Sequence, residues 1–244
     1  MSHSNPPSES STARPPVALP DLPEPQAILF DLDGTLVDTV ALRVAAWVEA
    51  FGRFDIPVDR ELLPAYMGSD GRWLARELAR AAGREIDWAT SDEIDRLSGS
   101  LFDKLNKAPQ PLPGATELLT ALEGEGRTFC IATASQPGQV EANVKALRLP
   151  APPRIVDASH VENAKPEPDL LLAAAAQLGV APEGCWYVGD SSWDMMASVR
   201  AGTVAVGVTT GATSAETLLA AGAAVAVQGL PVLAAELQRR GLLR

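Results

Sequence analysis

Six short, mostly apolar runs constrain this chain more than any other feature. They are Ala27–Phe30, Thr128–Thr133, Arg154–Val156, Cys185–Val188, Val204–Val208 and Ala223–Val227. Polar residues do not alternate regularly with apolar ones within them, so as strands they are buried on both faces. The segments between them have helical spacing. Val140, Val144 and Leu147 mark one helix, and 168–178 and 192–201 read as helices stopped by Gly179 and Gly202. Helices at 114–123 and 230–239 complete the alternation. Continuous strands alternating with amphipathic helices predict an α/β fold, a doubly wound parallel sheet covered on both faces. Ligands bind such sheets at the carboxyl ends of the strands.

The first two runs are separated by a long stretch without a convincing strand. Val40, Val44, Trp47, Val48 and Phe51 repeat with helical spacing. Leu74, Leu78 and Ala81 form a second helix face, and Ile94, Leu97, Leu101 and Leu105 a third. Pro109, Pro111, Pro113 and Gly114 then punctuate the chain. The expected organisation is a core of 26–39 and 109–244 with a helical cap inserted at 40–108. Residues 1–25 read as a disordered leader. They are rich in Ser and Pro and lack the apolar segment of a secretory signal.

Candidate chemistry gathers where the runs end. After Phe30 the chain reads Asp31-Leu32-Asp33-Gly34-Thr35. Two residues apart, both aspartates leave an extended backbone on the same side. Close carboxylates do not share full charge, so one holds a proton or a cation sits between them. Such a pair suits nucleophilic and acid–base chemistry side by side, or, read blandly, an acidic turn capping the next helix. Three later stretches follow in order: Ile131-Ala132-Thr133-Ala134-Ser135, Lys165-Pro166-Glu167-Pro168-Asp169 and Gly189-Asp190-Ser191-Ser192-Trp193-Asp194. Asp31, Thr133 and Asp190 all lie at strand exits.

These four stretches together resemble the four motifs of the haloacid dehalogenase-like superfamily of phosphohydrolases, over roughly residues 26–228. The resemblance implies a Rossmann-like core with a cap, and a phosphatase working through an aspartyl-phosphate. By motif position Asp31 is the nucleophile and Asp33 the general acid and base. Mg²⁺ is held by Asp31, the backbone carbonyl of Asp33 and Asp190. Asp194 reaches the metal through water or orients Lys165, which neutralises nucleophile and phosphate. Thr133 binds the phosphoryl group, helped by Ser135 unless that side chain caps the next helix. The amides of Asp33, Gly34 and Ala134 are further donors. An acid at position 33 matches phosphatases and phosphomutases rather than dehalogenating members. The implied substrate is a small phosphorylated metabolite, with phosphoglycolate phosphatase the nearest activity. A β-phosphoglucomutase-like phosphomutase is the alternative. A phospho-accepting signalling module is a rival of another class, although such modules lack an insertion after their first strand.

The insertion carries its own signal. It holds ten basic and twelve acidic side chains, against ten and nineteen elsewhere. Arg72, Arg76, Arg80 and Arg84 are spaced by four, a stripe that reads most simply as a solvated face. With Ser69 or Asp70 as N-cap, Arg72 falls in the first turn, where the helix dipole disfavours a cation. A second anionic or polar group on the substrate would account for it. His160, just before the lysine loop, reads as structural.

A net charge of −11 argues against nucleic acid or anionic membranes as partners. No run of about twenty apolar residues is present to span a bilayer. Cys130 and Cys185, the only cysteines, sit in apolar runs as small buried side chains, which suits a reducing cytoplasm. Oligomeric state is not legible.

Overall fold

The computed structural model describes residues 22–244. Six strands form one parallel sheet: β1 (Ala27–Phe30), β2 (Thr128–Ala132), β3 (Ile155–Val156), β4 (Cys185–Gly189), β5 (Val204–Val208) and β6 (Val225–Val227). Their spatial order is β3-β2-β1-β4-β5-β6. The chain winds outward from β1 to β3, then returns to lay β4 against the other side of β1. The direction of winding therefore reverses between β1 and β4, and a crevice opens there beyond the strand ends.

Alternate residues of each strand serve opposite faces. Ile28 and Phe30 pack with Leu118, Leu119 and Leu122 of α4 (Ala115–Gly124), Val140 of α5 (Pro137–Ala146) and Leu233 and Leu237 of α9 (Leu230–Arg239). Ala27 and Leu29 pack with Leu170, Leu171 and Ala174 of α6 (Asp169–Leu178) and Ala197 of α7 (Ser192–Ala201). Each large apolar side chain buried this way contributes about 1.5–3 kcal/mol. Cys130 and Cys185 are buried free thiols in β2 and β4.

Between β1 and β2 the chain forms α1 (Val40–Gly52), α2 (Gly71–Ala81) and α3 (Trp88–Leu105). These helices share a separate cluster containing Val44, Trp47, Phe51, Leu74, Leu78, Ile94 and Phe102. Asp70 and Asp87 start α2 and α3 by accepting from the amides of Trp73 and Thr90. The cluster is tied to the sheet side by Trp193 of α7. Its indole donates to the Ala65 carbonyl at 3.0 Å, and its ring meets Trp73 edge-on at 5.1 Å.

Some expectations change. The segment read as leader ends early: Leu22 is buried in the main core, Trp186 Nε1 donates to the Pro23 carbonyl and Arg127 pairs with Glu24. Residues 1–21 lie outside the described residues. Arg84 is not on the arginine stripe, because α2 stops at Ala81; it donates to the Asp55 carbonyl instead. One helix went unread, α8 (Ala215–Ala220), which Ser214 caps by accepting from the Thr217 amide. Among the described residues no helix is long and apolar enough to cross a membrane.

Candidate active site

Asp31 and Asp190 follow the last residues of β1 and β4, the two strands that flank the reversal. The Asp31 amide still donates to the Val188 carbonyl, so its side chain starts from a fixed backbone. Lys165 enters from the loop between β3 and α6 and is 2% exposed, which rules out a solvated lysine. Its Nζ lies 2.6 Å from Asp31 Oδ1 and 2.6 Å from Asp194 Oδ1.

Local sequence explains Asp194. Ser191 caps α7, and Asp194 three residues on returns the bond, the reciprocal arrangement of a capping box. Asp194 Oδ2 accepts from the Ser191 amide and hydroxyl, and Oδ1 accepts from Lys165 and from the Tyr187 hydroxyl at 2.8 Å. Both oxygens are thereby engaged, which favours orienting Lys165 over ligating a metal. Tyr187, inside β4, was not singled out in the sequence.

The charges do not balance by themselves. Asp31, Asp190 and Asp194 each bring a carboxylate oxygen within 4.8 Å of the others. Against three carboxylates stands one ammonium, a deficit that a divalent cation would cancel. Burial pushes Asp31 up to about 7, with Asp194 and Asp33 adding to the rise and Lys165 opposing it. Burial, then Asp194 and Asp31, hold Asp190 well above the usual carboxylate range. Burial would raise Asp194 too, but Lys165, Ser191 and Tyr187 outweigh it and keep Asp194 low. Oxygen-only donors of this charge suit a hard divalent ion such as Mg²⁺.

Asp190 has little room to move. Thr35 Oγ1 donates to its Oδ1 at 2.8 Å. A side chain at Gly34 would come within 2.5 Å of Asp190 Oδ2, and one at Gly211 would collide with the same atom. Gly34 also sits at φ +85°, where other residues are strained. Its expected role as an amide donor to phosphate is not met, because that N–H donates to the Val37 carbonyl at 2.8 Å. Thr210 Oγ1, beside Gly211, ties the post-β5 loop to the Gly34 carbonyl at 2.6 Å.

Asp33 is turned to a different set of partners and lies outside the carboxylate cluster. Its Oδ2 accepts from Ser135 Oγ at 2.5 Å and lies 3.1 Å from an Arg43 nitrogen; its Oδ1 accepts from Asn143 at 3.2 Å. Burial would raise Asp33, but Arg43 and then Ser135 outweigh it, so it stands below the usual range. Each member of the aspartate pair thus has its own cation. Arg43 was missed in the sequence. The available signal was a basic residue inside the apolar stripe of α1, between Val40 and Trp47.

Thr133 is buried just past β2, and its Oγ1 accepts from the Ser135 amide at 3.1 Å. Ser135 does not cap α5. Pro137 takes the first helical position and makes Gln136 the cap residue, which leaves the Ser135 hydroxyl free for Asp33.

A cavity of roughly 790 Å³ joins these groups to the helical insertion. Asp31, Asp33, Thr133, Ala134, Ser135, Lys165, Asp190 and Asp194 all line it, and so does Arg72. Arg72, however, pairs with Asp70 at 3.0 Å. The capping carboxylate therefore accounts for a cation in the first turn, and the reason for expecting a substrate anion there falls away.

The residues from 28 to 208 match the family model for haloacid dehalogenase-like hydrolases. A probable phosphatase, IndB of Dickeya dadantii, is 32% identical over 203 residues, covering 80% of this chain and 85% of its own. The β-phosphoglucomutase of Bacillus subtilis is 30% identical over 194 residues, covering 75% and 83%. A crystal structure of a hydrolase from Pseudomonas syringae superposes with a TM-score of 0.82 at 34% identity, over 87% of this chain and 98% of that one. With the parallel sheet and the carboxylates at its switch point, these matches show that the chain is an enzyme belonging to the haloacid dehalogenase-like hydrolase family.

Proposed function

We propose that this enzyme is a Mg²⁺-dependent phosphatase that hydrolyses a small phosphorylated metabolite through an aspartyl-phosphate on Asp31. The observation that carries the reading is the buried contact of Lys165 Nζ with Asp31 Oδ1 and Asp194 Oδ1, both at 2.6 Å. It presents one carboxylate beside a fixed positive charge at the head of a cavity. Asp31 and Asp190, with the Asp33 carbonyl, would hold the ion. When bound, Mg²⁺ offsets the repulsion between a carboxylate nucleophile and phosphoryl oxygens, about 4 kcal/mol per charge pair at 4 Å and an effective dielectric near 20.

The chain's own residues then divide the work. An Asp31 oxygen bonds to phosphorus as the bond to the leaving oxygen breaks, and protonated Asp33 gives that oxygen its proton. Water attacks the same phosphorus and passes a proton to Asp33. The Asp31–phosphorus bond breaks and phosphate leaves. Lys165 and Thr133 hold the phosphoryl oxygens, and Asp194 and Tyr187 keep Lys165 in place. Ser135 and Asn143 donate to Asp33 and Arg43 pairs with it, surroundings that support the carboxylate the second step requires.

The insertion's side of the cavity bears on the substrate. Arg72 and Arg96 are taken by Asp70 and Asp92, at 3.0 and 3.1 Å, while Asp95 and Asp103 add negative charge. Carboxylates only accept hydrogen bonds. This favours an uncharged, hydroxyl-rich leaving group over one with a second anionic group such as phosphoglycolate. A panel of phosphate monoesters with Mg²⁺ tests the reading through release of inorganic phosphate. Turnover of polyol or sugar phosphates, lost in EDTA, is the expected result. Full turnover in excess chelator would overturn the metal assignment. Conversion that needs a bisphosphate primer and frees no phosphate would favour the phosphomutase.

A further inference from the structure

We infer that Arg43 is the positioning residue of the acid–base Asp33, and that its loss stalls the enzyme at the covalent stage. The inference rests on the roles proposed above for Asp31 and Asp33. One Arg43 nitrogen makes three contacts: 3.1 Å to Asp33 Oδ2, 2.6 Å to Ser135 Oγ and 3.3 Å to Gln139 Oε1. Ser135 Oγ accepts from Arg43 and donates to the same Asp33 oxygen. Arg43 therefore fixes the rotor of the serine as well as the carboxylate. Arg43 pairs with Oδ2 directly and also orients the serine that donates to it, while the Asn143 bond to Oδ1 is independent of Arg43.

The guanidinium is itself held. It lies 4.0 Å from the centre of the Phe102 ring, and its side chain is only 22% exposed. Phe102 belongs to α3, Arg43 to α1, Gln139 to the first turn of α5, and Ser135 lies just before that helix. One cation so registers the helical insertion against the carboxylate that must receive a proton from water. Without it, Asp33 keeps two neutral donors, a serine hydroxyl with a freer rotor and Asn143, and faces the Asp31 carboxylate with no countercharge of its own. A base displaced by about an ångström loses much of its effect on the attacking water.

Arg43→Met keeps the stem that covers Phe102 and removes the charge and donors. With 4-nitrophenyl phosphate and Mg²⁺, kcat is expected to fall about a hundredfold while kcat/KM falls less than about threefold. The first step needs little help with so good a leaving group, and the second needs the base. At steady state the acid-quenched variant should carry a phosphoryl group on the Asp31 peptide in most molecules, against few in the wild type. Arg43→Lys restores a charge and should recover part of kcat. Equal falls in kcat and kcat/KM without phosphoenzyme accumulation would overturn the inference and mark Arg43 as structural. Should Arg43→Met not fold, the same two readouts on Arg43→Lys decide, with about a tenfold fall in kcat expected. A wild type that hydrolyses no phosphate ester, or an Asp31→Asn variant that still turns over, would instead sink the phosphatase reading.

Discussion

The carboxylate centre at the strand ends and the insertion's wall of the same cavity solve the charge problem in opposite ways. At the centre, partners come from far apart in sequence: Lys165 meets Asp31 across 134 positions and Thr35 meets Asp190 across 155. Those side chains are nearly inaccessible, with 2% and 7% exposure for Lys165 and Asp31. On the wall, Arg72 pairs with Asp70 two residues away and Arg96 with Asp92 four away, and both arginines are at least half exposed. Buried pairs lose heavily when one partner goes, because the other is left charged without compensation. Exposed local pairs are worth about 0–1 kcal/mol. The centre is therefore rigid and intolerant, and the wall is open to substitution. On the proposed function, chemistry belongs to the first and choice of leaving group to the second.

Gly211→Ala should have the largest effect among changes outside the charged groups. The added methyl collides with Asp190 Oδ2, and Thr35, holding Oδ1, leaves the carboxylate no easy retreat. Gly211 lies outside the left-handed region, so backbone strain does not confuse the result. Mg²⁺ affinity, read by the concentration that restores activity, should weaken by about ten- to a hundredfold. An unchanged Mg²⁺ dependence would show that Asp190 is less confined than its neighbours imply.

Asp95→Asn probes the wall. Burial, then Asp70, push Asp95 up to about 6, with Arg72 opposing. The folded state therefore favours the protonated form more than the unfolded chain does. Above about pH 6 the charged side chain costs stability, and below its unfolded value near 4 the cost vanishes. The neutral amide should raise thermal stability at pH 8 by up to ~2 kcal/mol and change little at pH 4. Measured unfolding curves at the two values check the sign. A gain at pH 4 alone, or a loss at pH 8, would contradict it.

Arg72→Ala should do least. Its partner Asp70 still caps α2 through the Trp73 amide, so stability should change by less than about 1 kcal/mol. With an uncharged polyol phosphate, kcat/KM should change by no more than about threefold. A ten- to hundredfold loss on a substrate with a second anionic group, roughly 1.4–2.7 kcal/mol, would restore Arg72 as an anion contact.

The same contrast explains what the sequence revealed. Short, mostly apolar runs set between helical segments read as buried strands, although β6 is only partly buried, and Gly179 and Gly202 marked helix ends because the left-handed stop favours glycine. Asp31, Lys165, Asp190 and Asp194 sit in contiguous motifs and could be found by position. Arg43, Asn143, Tyr187 and Gly211 could not, since each matters through a partner that only the fold brings near. Ser135 was ambiguous for a local reason: the capping signal was real, but Pro137 moved the helix start past it. Arg72 lines the cavity as expected, but its first-turn charge has a local explanation already present in the sequence, the Asp70 carboxylate two residues back.

Asp31, held by Lys165, is the residue proposed to take the phosphoryl group. Asp33→Asn can trap it there, because it keeps the nucleophile and removes the base that clears it. Incubated with Mg²⁺ and 4-nitrophenyl phosphate, then quenched in acid, the variant should carry one phosphoryl group on the peptide containing Asp31, read by mass spectrometry. An adduct on any other residue, or an Asp31→Asn enzyme that hydrolyses the ester at the wild-type rate, would contradict the account.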